Sequence, residues 1–392
     1  MLSLDEAQSQ LLALATRLPS QSKPLSACSG HYLAEPVIAK RTQPAADLSA
    51  MDGYALSSFT QPGPWRVIGE SAAGRPFGNE VGAGEAVRIF TGAHVPAGCD
   101  TVLIQEDAIR DGATLKLNGS ELLKPAAHIR RAGGDFLEGS TLLDTGIKLT
   151  PGAIAVAAMA GYGTLNVGGR PHVSILASGD ELRAPGELCD DAHIPSSNTP
   201  MLVAMLSGLP CDVTDCGIVE DTMEALETAI QNCMQSDIIV TTGGASVGDH
   251  DLVEPVLRKL GAQIDFWKVA IRPGKPLIVG RIGKTIILGL PGNPSSAYVT
   301  ATLFLLPLVR FLAGCTAPLP KVNNGTLNHA IAAGGKRTEL FRALEENGVI
   351  SIFSRQDSGM LTPLSMANAL LINPVDAPAR VAGEPAQFLR ID

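Results

Sequence analysis

The 392-residue sequence predicts a multidomain α/β-plus-β protein, and three observations carry that expectation. Between residues 30 and 145, short apolar runs alternate with Gly and Pro turns, the pattern of antiparallel β structure. Beyond Arg170-Pro171, apolar strands alternate with helical segments, which implies βαβ units and a three-layer α/β domain with a mainly parallel sheet. After Pro318-Leu319-Pro320 the chain returns to short β-like pieces, a small C-terminal β domain. The expected organisation is a helical connector (1–29 and 146–170), an N-terminal β-rich lobe (30–145), the α/β domain (171–319) and the C-terminal β domain (320–392).

Each element has a local reason. Ser3 and Glu6 form a capping box that opens a helix over 3–18, with Leu4, Leu11, Leu14 and Leu18 near one face. Val87 to Phe90, Thr101 to Ile104 and Thr114 to Leu117 are short strands between turns. Pro151 starts a helix that Gly161 stops. His172 to Leu176 is a strand, Asn198-Thr199-Pro200 caps a helix through Leu206, and Cys211 to Ile218 is a strand. Asp221 to Glu224 has capping-box spacing and opens a helix to about residue 235, followed by a strand from Asp237 to Thr241. A helix from Asp251 to Leu260 ends at Gly261. Strands near 264–271, 276–281 and 284–290 then lead to a long helix from Pro294 to Ala313.

Composition narrows the function. Forty-one Gly and 27 Pro imply many tight turns, without a collagen period, and 45% hydrophobic residues exclude disorder. A net charge of -9 makes a poor general binder of nucleic acid or anionic membrane, so an anionic ligand needs a local basic cluster. Only 4% of residues are aromatic, too few for base-stacking platforms. The seven cysteines are odd in number and lack C-x-x-C, so reduced thiols in a cytoplasmic protein are expected. The acidic N-terminus lacks the charge pattern of a signal peptide. The richest apolar stretch, Val299 to Gly314, is broken by Pro307 and Arg310, so no membrane span is expected. The histidines show no metal-ligand spacing, and G-x-S-x-G is missing.

Two glycine loops carry the chemistry. Thr242-Gly243-Gly244-Ala245-Ser246-Val247-Gly248 follows one buried strand, and Leu290-Pro291-Gly292-Asn293-Pro294-Ser295-Ser296 joins another to a helix. Glycines let backbone N–H groups approach a ligand, and a helix N-terminus favours an anion. Two such loops at strand C-termini of one sheet point to a ligand crevice there. Lys268, Arg272 and Lys275 put three cations within eight residues, suited to phosphate, and an unbroken strand would project Lys268 and Arg272 from one face. Asp180, Glu181, Asp221, Asp249 and Asp251 all follow strands, so they can converge on that crevice and hold Mg²⁺ beside substrate phosphates.

These motifs, with Ser49-Ala50-Met51-Asp52-Gly53-Tyr54-Ala55, Arg88-Ile89-Phe90-Thr91-Gly92-Ala93, Ser178-Gly179-Asp180-Glu181-Leu182 and Arg272-Pro273-Gly274-Lys275-Pro276, occur in an order that resembles the molybdopterin molybdenumtransferase family, the MoeA type, which includes the E domain of gephyrin. The resemblance covers nearly the whole chain. It implies that the α/β domain binds molybdopterin, that molybdate is inserted into adenylylated molybdopterin with release of AMP, and that Mg²⁺ assists. It also implies a cytoplasmic homodimer of four-domain chains with each active site shared between subunits, no nucleic acid or membrane partner, and room for other proteins of molybdenum cofactor biosynthesis. Asp52, Thr91, Glu181, Asp221 and Asp251 match catalytic positions, the last three being the expected metal ligands. Gly243, Gly244, Ser246, Lys268, Arg272, Lys275, Pro291, Asn293, Pro294 and Ser295 are the expected substrate-binding residues, with Arg342 and Ser358 near molybdate. The family often has Lys where Arg272 stands, a small or aromatic residue at His250 and a hydroxyl at Ala177. The rival readings are a molybdopterin-binding scaffold and a related molybdopterin adenylyltransferase.

Overall fold

A computed structural model describes residues Met1–Gly243 and Leu252–Ile391. By chain contacts the protein divides into two compact units. One is Pro36–Asp144 with Pro151–Thr164, and the other is Met1–Glu35, Thr145–Thr150 and the chain from Leu165 onward.

The first unit is built on a six-stranded sheet in the order Thr101–Ile104, Gly53–Leu56, Glu85–Ile89, Trp65–Ser71, Thr114–Leu117, Ala108–Asp111. Its neighbours are antiparallel except for Trp65–Ser71 and Glu85–Ile89, which run parallel. That pair corrects the all-antiparallel expectation for this lobe: the segment between those strands is long enough to cross over instead of making a tight hairpin. Trp65, Leu56 and Leu103 are fully buried in its core. Helix Pro151–Met159 belongs to this unit, with Pro at its first position as expected.

The second unit opens with helix Leu4–Leu14, whose capping box is formed as predicted: Ser3 Oγ accepts from the Glu6 N–H and the Glu6 carboxylate accepts from the Ser3 N–H. It ends earlier than expected, with Ala15 extended. The α/β part contains strands β1 (His172–Ser178), β2 (Asp212–Val219), β3 (Ile238–Thr242), β4 (Gln263–Lys268), β5 (Pro276–Ile282) and β6 (Thr285–Leu290). Its helices are α1 (Asn198–Leu206), α2 (Met223–Asn232), α3 (Val253–Lys259) and α4 (Pro294–Leu312). The sheet order is β2-β1-β3-β6-β5-β4. The pairs β2–β1, β1–β3 and β3–β6 are parallel, and β6–β5 and β5–β4 are antiparallel. The chain leaves β1 in one direction to β2 and returns on its other side to β3, a topological switch point that opens a crevice at the strand C-termini.

Alternation along the strands buries both sheet faces. Ile286, Leu288 and Leu290 pack on α1, α4 and the N-terminal helix, while Ile287 packs with Ile278 against α2 and α3. Helix α4 is 19 residues long and apolar enough to cross a membrane by length and composition, yet 78% of its apolar window is buried inside the protein. Pro307 does not break it. The turn just before, Ala301–Leu305, is π-wound, and this absorbs the loss of the donor that proline lacks.

The C-terminal part is a closed barrel. Thr338–Glu346, Val349–Ile352, Val322–Leu327, Pro385–Arg390 and Ala369–Asn373 pair in that order, and Ala369–Asn373 closes the ring by pairing back to Thr338–Glu346.

Phe304, fully buried in the largest core cluster, tests how much the α4 layer contributes. Phe304→Ala is expected to cost about 3–5 kcal/mol, read as a fall in the urea midpoint of the circular-dichroism signal.

Candidate active site

At the switch point the structure forms one cavity of about 780 Å³. Its walls come from the end of β1 and the turn after it (Ser178, Gly179, Glu181), from Asp221 and Gly243, and from Pro291 to Pro294. Six of the residues selected from sequence therefore line one space: Glu181, Asp221, Gly243, Pro291, Asn293 and Pro294.

The backbone explains the convergence. Gly243 has φ +89°, and a β-carbon there would lie 2.2 Å from the Ser178 carbonyl oxygen, so only glycine fits. A β-carbon on Gly292 would lie 3.6 Å from the Gly243 Cα, which brings the two glycine loops together. Gly244, Ser246 and Asp251 lie outside the described residues, as do Asp249 and His250.

The carboxylates are held by their neighbours. Ser178 Oγ donates to Asp221 Oδ1 at 2.6 Å, and the Asp221 N–H donates to Asp180 Oδ1 at 3.2 Å. Helix α2 is capped by Thr222, whose hydroxyl accepts from the Ala225 N–H. This corrects the capping box expected from Asp221: with Thr222 in that role, the Asp221 side chain is left for the cavity. The Glu181 carboxylate folds back over Gly179, within 2.6 Å of where a β-carbon would stand.

The basic segment differs from expectation in one respect. Lys268 ends β4, and after Val269 and Ala270 the chain joins the barrel sheet, where Ile271–Arg272 pairs with Thr338–Glu339. Lys268 and Arg272 are therefore not on one face of one strand, because two sheets compete for this segment. Leu2 ties the crossing point, accepting from the Ala270 N–H and donating to the Lys268 carbonyl. The Val269 N–H donates to the Lys275 carbonyl at 3.0 Å and closes the loop, and Lys268 stands opposite Pro276, a lining residue. Both lysines thus spring from the cavity edge. Arg272, itself exposed, pairs at 3.2 Å with the mostly buried Glu339, whose other oxygen accepts from Asn373 Nδ2.

Arg342 and Ser295 differ from expectation, because both are buried and bond to each other. Arg342 is 2% exposed, and its guanidinium is fully spent. Nη1 donates to Ser295 Oγ (2.8 Å) and the Met360 carbonyl (2.7 Å), and Nη2 donates to the Asp357 carbonyl (2.9 Å) and the Arg355 carbonyl (3.3 Å). Nε donates to Gln356 Oε1, which also accepts from the Arg342 N–H. Burial pulls its pKa down, with Asp357 opposing. Ser295 is fully buried, its hydroxyl donating to the Met360 carbonyl and its N–H to the Ser358 carbonyl. Neither side chain faces an incoming anion. Together they fix residues 355–360, so that Gly359 lines the cavity and Asn293 Nδ2 donates to Ser358 Oγ at 3.1 Å.

Asp52 and Thr91 meet in the other unit. The Thr91 N–H and hydroxyl both donate to Asp52 Oδ1 at 2.8 Å. The backbone bond first, then the hydroxyl, hold the Asp52 carboxyl below the usual carboxylate range, so it is charged at neutral pH.

Sequence reasoning missed Asn198, read there as part of a helix cap. Ser197 is the cap position, without a side-chain bond, and Asn198 lies in the first turn of α1. Its Nδ2 donates to the Gly292 carbonyl at 2.7 Å, and its buried Oδ1 lacks a partner among the described residues. No local pattern signals this, because the partner is ninety-four positions away. Among the described residues no group of three or more His, Cys, Asp or Glu is placed to hold a metal.

Three family models match: "MoeA N-terminal region (domain I and II)" over residues 2–161, "Probable molybdopterin binding domain" over 174–310 and "MoeA C-terminal region (domain IV)" over 324–391. A Haemophilus influenzae protein named molybdopterin molybdenumtransferase is 38% identical over 320 residues, covering 80% of this chain and 78% of that one. A Staphylococcus aureus protein of the same name is 30% identical over 402 residues, covering 98% and 94%. The solved structure of a molybdopterin biosynthesis moeA protein from Pyrococcus horikoshii OT3 superposes with TM-score 0.84 over 100% of both chains, at 24% identity, a likeness of fold.

If Arg342 positions the 355–360 loop, Arg342→Lys will not restore it, since one ammonium cannot serve acceptors on both sides of a guanidinium fork. Hydrogen exchange across residues 355–360 is expected to rise at least tenfold in that variant while exchange in β3 stays unchanged.

Proposed function

The chain belongs to the molybdopterin molybdenumtransferase (MoeA) family, enzymes of molybdenum cofactor biosynthesis, and we propose that its cavity takes adenylylated molybdopterin and molybdate and releases AMP. The observation that carries this reading is the meeting of two carboxylates, Glu181 and Asp221, with two glycine loops in one cavity at the strand ends. Backbone N–H groups at such loops suit phosphate oxygens, and Lys268 and Lys275 at the cavity edge supply charge to the phosphoanhydride. Arg272 adds a third cation from the same closed loop.

Mg²⁺ fits the donor set: Glu181 and Asp221 are hard oxygen donors in one cavity, and this ion favours few carboxylates completed by phosphate oxygens and water. Asp251 is the third proposed ligand. Bound there, the ion would offset charge developing on the leaving phosphate. Ser178 keeps the Asp221 carboxylate aimed by its hydrogen bond. Ser358, on the loop that Arg342 holds, offers its hydroxyl to molybdate, and Arg342 acts as the positioning residue.

The charged Asp52, seated on Thr91, completes the reading. It lies in the unit that does not form the cavity, and we assign it to the active site of a partner subunit in a cytoplasmic homodimer, so that each site draws on two chains.

Two outcomes test this. Asp221→Asn should slow AMP release from adenylylated molybdopterin at least tenfold with little change in stability. Thr222→Ala should lower stability by about 1 kcal/mol and leave AMP release at saturating substrate intact. Equal loss in both variants would make Asp221 a structural residue. Mixing Asp52→Asn chains with Asp221→Asn chains should form about half mixed dimers, each with one unaltered site, and recover roughly a quarter of wild-type activity. No recovery after exchange confirmed by native mass spectrometry would rule out the shared site.

A further inference from the structure

A second cavity, of about 460 Å³, lies away from the carboxylates and glycine loops. Lys148, Arg310, Lys321 and Arg390 line it, and no Asp or Glu does. In a chain of net charge -9 this is a local reversal of sign. Most of that charge is uncompensated. Lys148 Nζ donates to the Gly208 carbonyl at 3.0 Å and Arg310 Nη1 to the Pro318 carbonyl at 3.3 Å, neutral partners that orient the cations without cancelling them. Arg390 alone is paired, with Glu345 at 2.6 Å, while Lys321 is exposed, its carbonyl accepting from Asn323 Nδ2 and its ammonium without an ion-pair partner among the described residues. Cations gathered on a concave wall repel one another, and an anion seated among them relieves that repulsion.

Met205, Leu209 and Leu306 give the wall an apolar stretch, and Asn323 and Thr302 add uncharged polar groups. Charge and apolar surface in one concavity select a ligand with both features. The walls also connect to the first cavity. Helix α1 begins there with Asn198 and ends here with Met205, and α4 begins there with Pro294 and reaches here through Tyr298, Thr302, Leu306 and Arg310, one helical face at four-residue spacing.

We propose that this second cavity is a non-catalytic binding site for a small organic oxyanion, a phosphate, sulfonate or carboxylate on an apolar body. The oxyanion sits among Lys148, Lys321 and Arg390, and the body lies along Met205, Leu209 and Leu306. The site is independent of the substrate assigned to the first cavity, and its ligand touches both helices that wall the active site.

The test uses the full chain and 8-anilinonaphthalene-1-sulfonate, an aromatic sulfonate of that class, followed by fluorescence titration. Wild type should bind it at one saturable site, with affinity falling as salt rises. The double variant Lys148→Gln with Lys321→Gln should bind at least tenfold more weakly; glutamine keeps a donor for the Gly208 carbonyl, so the fold survives. Lys321→Gln alone, which breaks no internal bond, should weaken binding about threefold by loss of one of several charges. Lys268→Gln with Lys275→Gln, at the edge of the first cavity, should bind as wild type does. Absence of saturable binding, equal affinity in the Lys148/Lys321 double variant, or loss confined to the Lys268/Lys275 variant would overturn the proposal.

Discussion

A side chain at residue 243 would have to share space with the Ser178 carbonyl oxygen, 2.2 Å from where its β-carbon would stand, and the cavity at the strand ends is organised around that exclusion. Parallel strands β1 and β3 run in register as far as Ala177 and Thr242, and beyond them the chain must part in two directions. Glycine at 243 lets the two ends stay in contact while they part, and Gly292 brings the third strand end against them. The carboxylates of Glu181 and Asp221 then face one cavity because their strands end at the same level. A larger residue at 243 would push the loops apart, whatever its polarity.

Polar groups are held in two opposite ways. Asp52 is exposed and charged, and two donors from one threonine secure it without burial. Arg342 is buried, and the desolvation of its charge is offset by bonds to carbonyl, amide and hydroxyl oxygens at every guanidinium donor. Removing one acceptor would leave a buried charge short of partners, which is why this arginine fixes a loop more firmly than an apolar anchor could.

Much of this was legible in the residues. The Ser3–Glu6 capping box, the Pro151 helix start and the alternation of β1 to α4 are local signals, and local chemistry sets them. The glycine loops and the Ser178 to Glu181 turn were also readable, because each needs particular backbone freedom or side-chain chemistry within a few residues. What escaped depends on distant partners. Lys268 and Arg272 read as one strand, but the segment is claimed by two sheets. Asp221 and Thr222 both suit a helix cap, and only Ser178, brought in by the sheet, shows which one is released. Arg342 has the right chemistry for an oxyanion, yet the fold surrounds it with internal acceptors that no spacing rule reveals.

The Arg342 anchorage also bears on the order in which a nascent chain acquires its parts. The strand ends of the α/β domain leave the ribosome well before residues 355–360, and Gly359 and Leu361 are nevertheless part of the cavity wall. Those residues take their place only when Arg342 has reached Ser295, in a strand that depends on Ala369–Asn373 to close its barrel. A growing polypeptide therefore carries its carboxylates and glycine loops through a last stage of translation with one wall of the pocket missing. The finished pocket is therefore a late event of synthesis, because its last wall is encoded near the end of the chain.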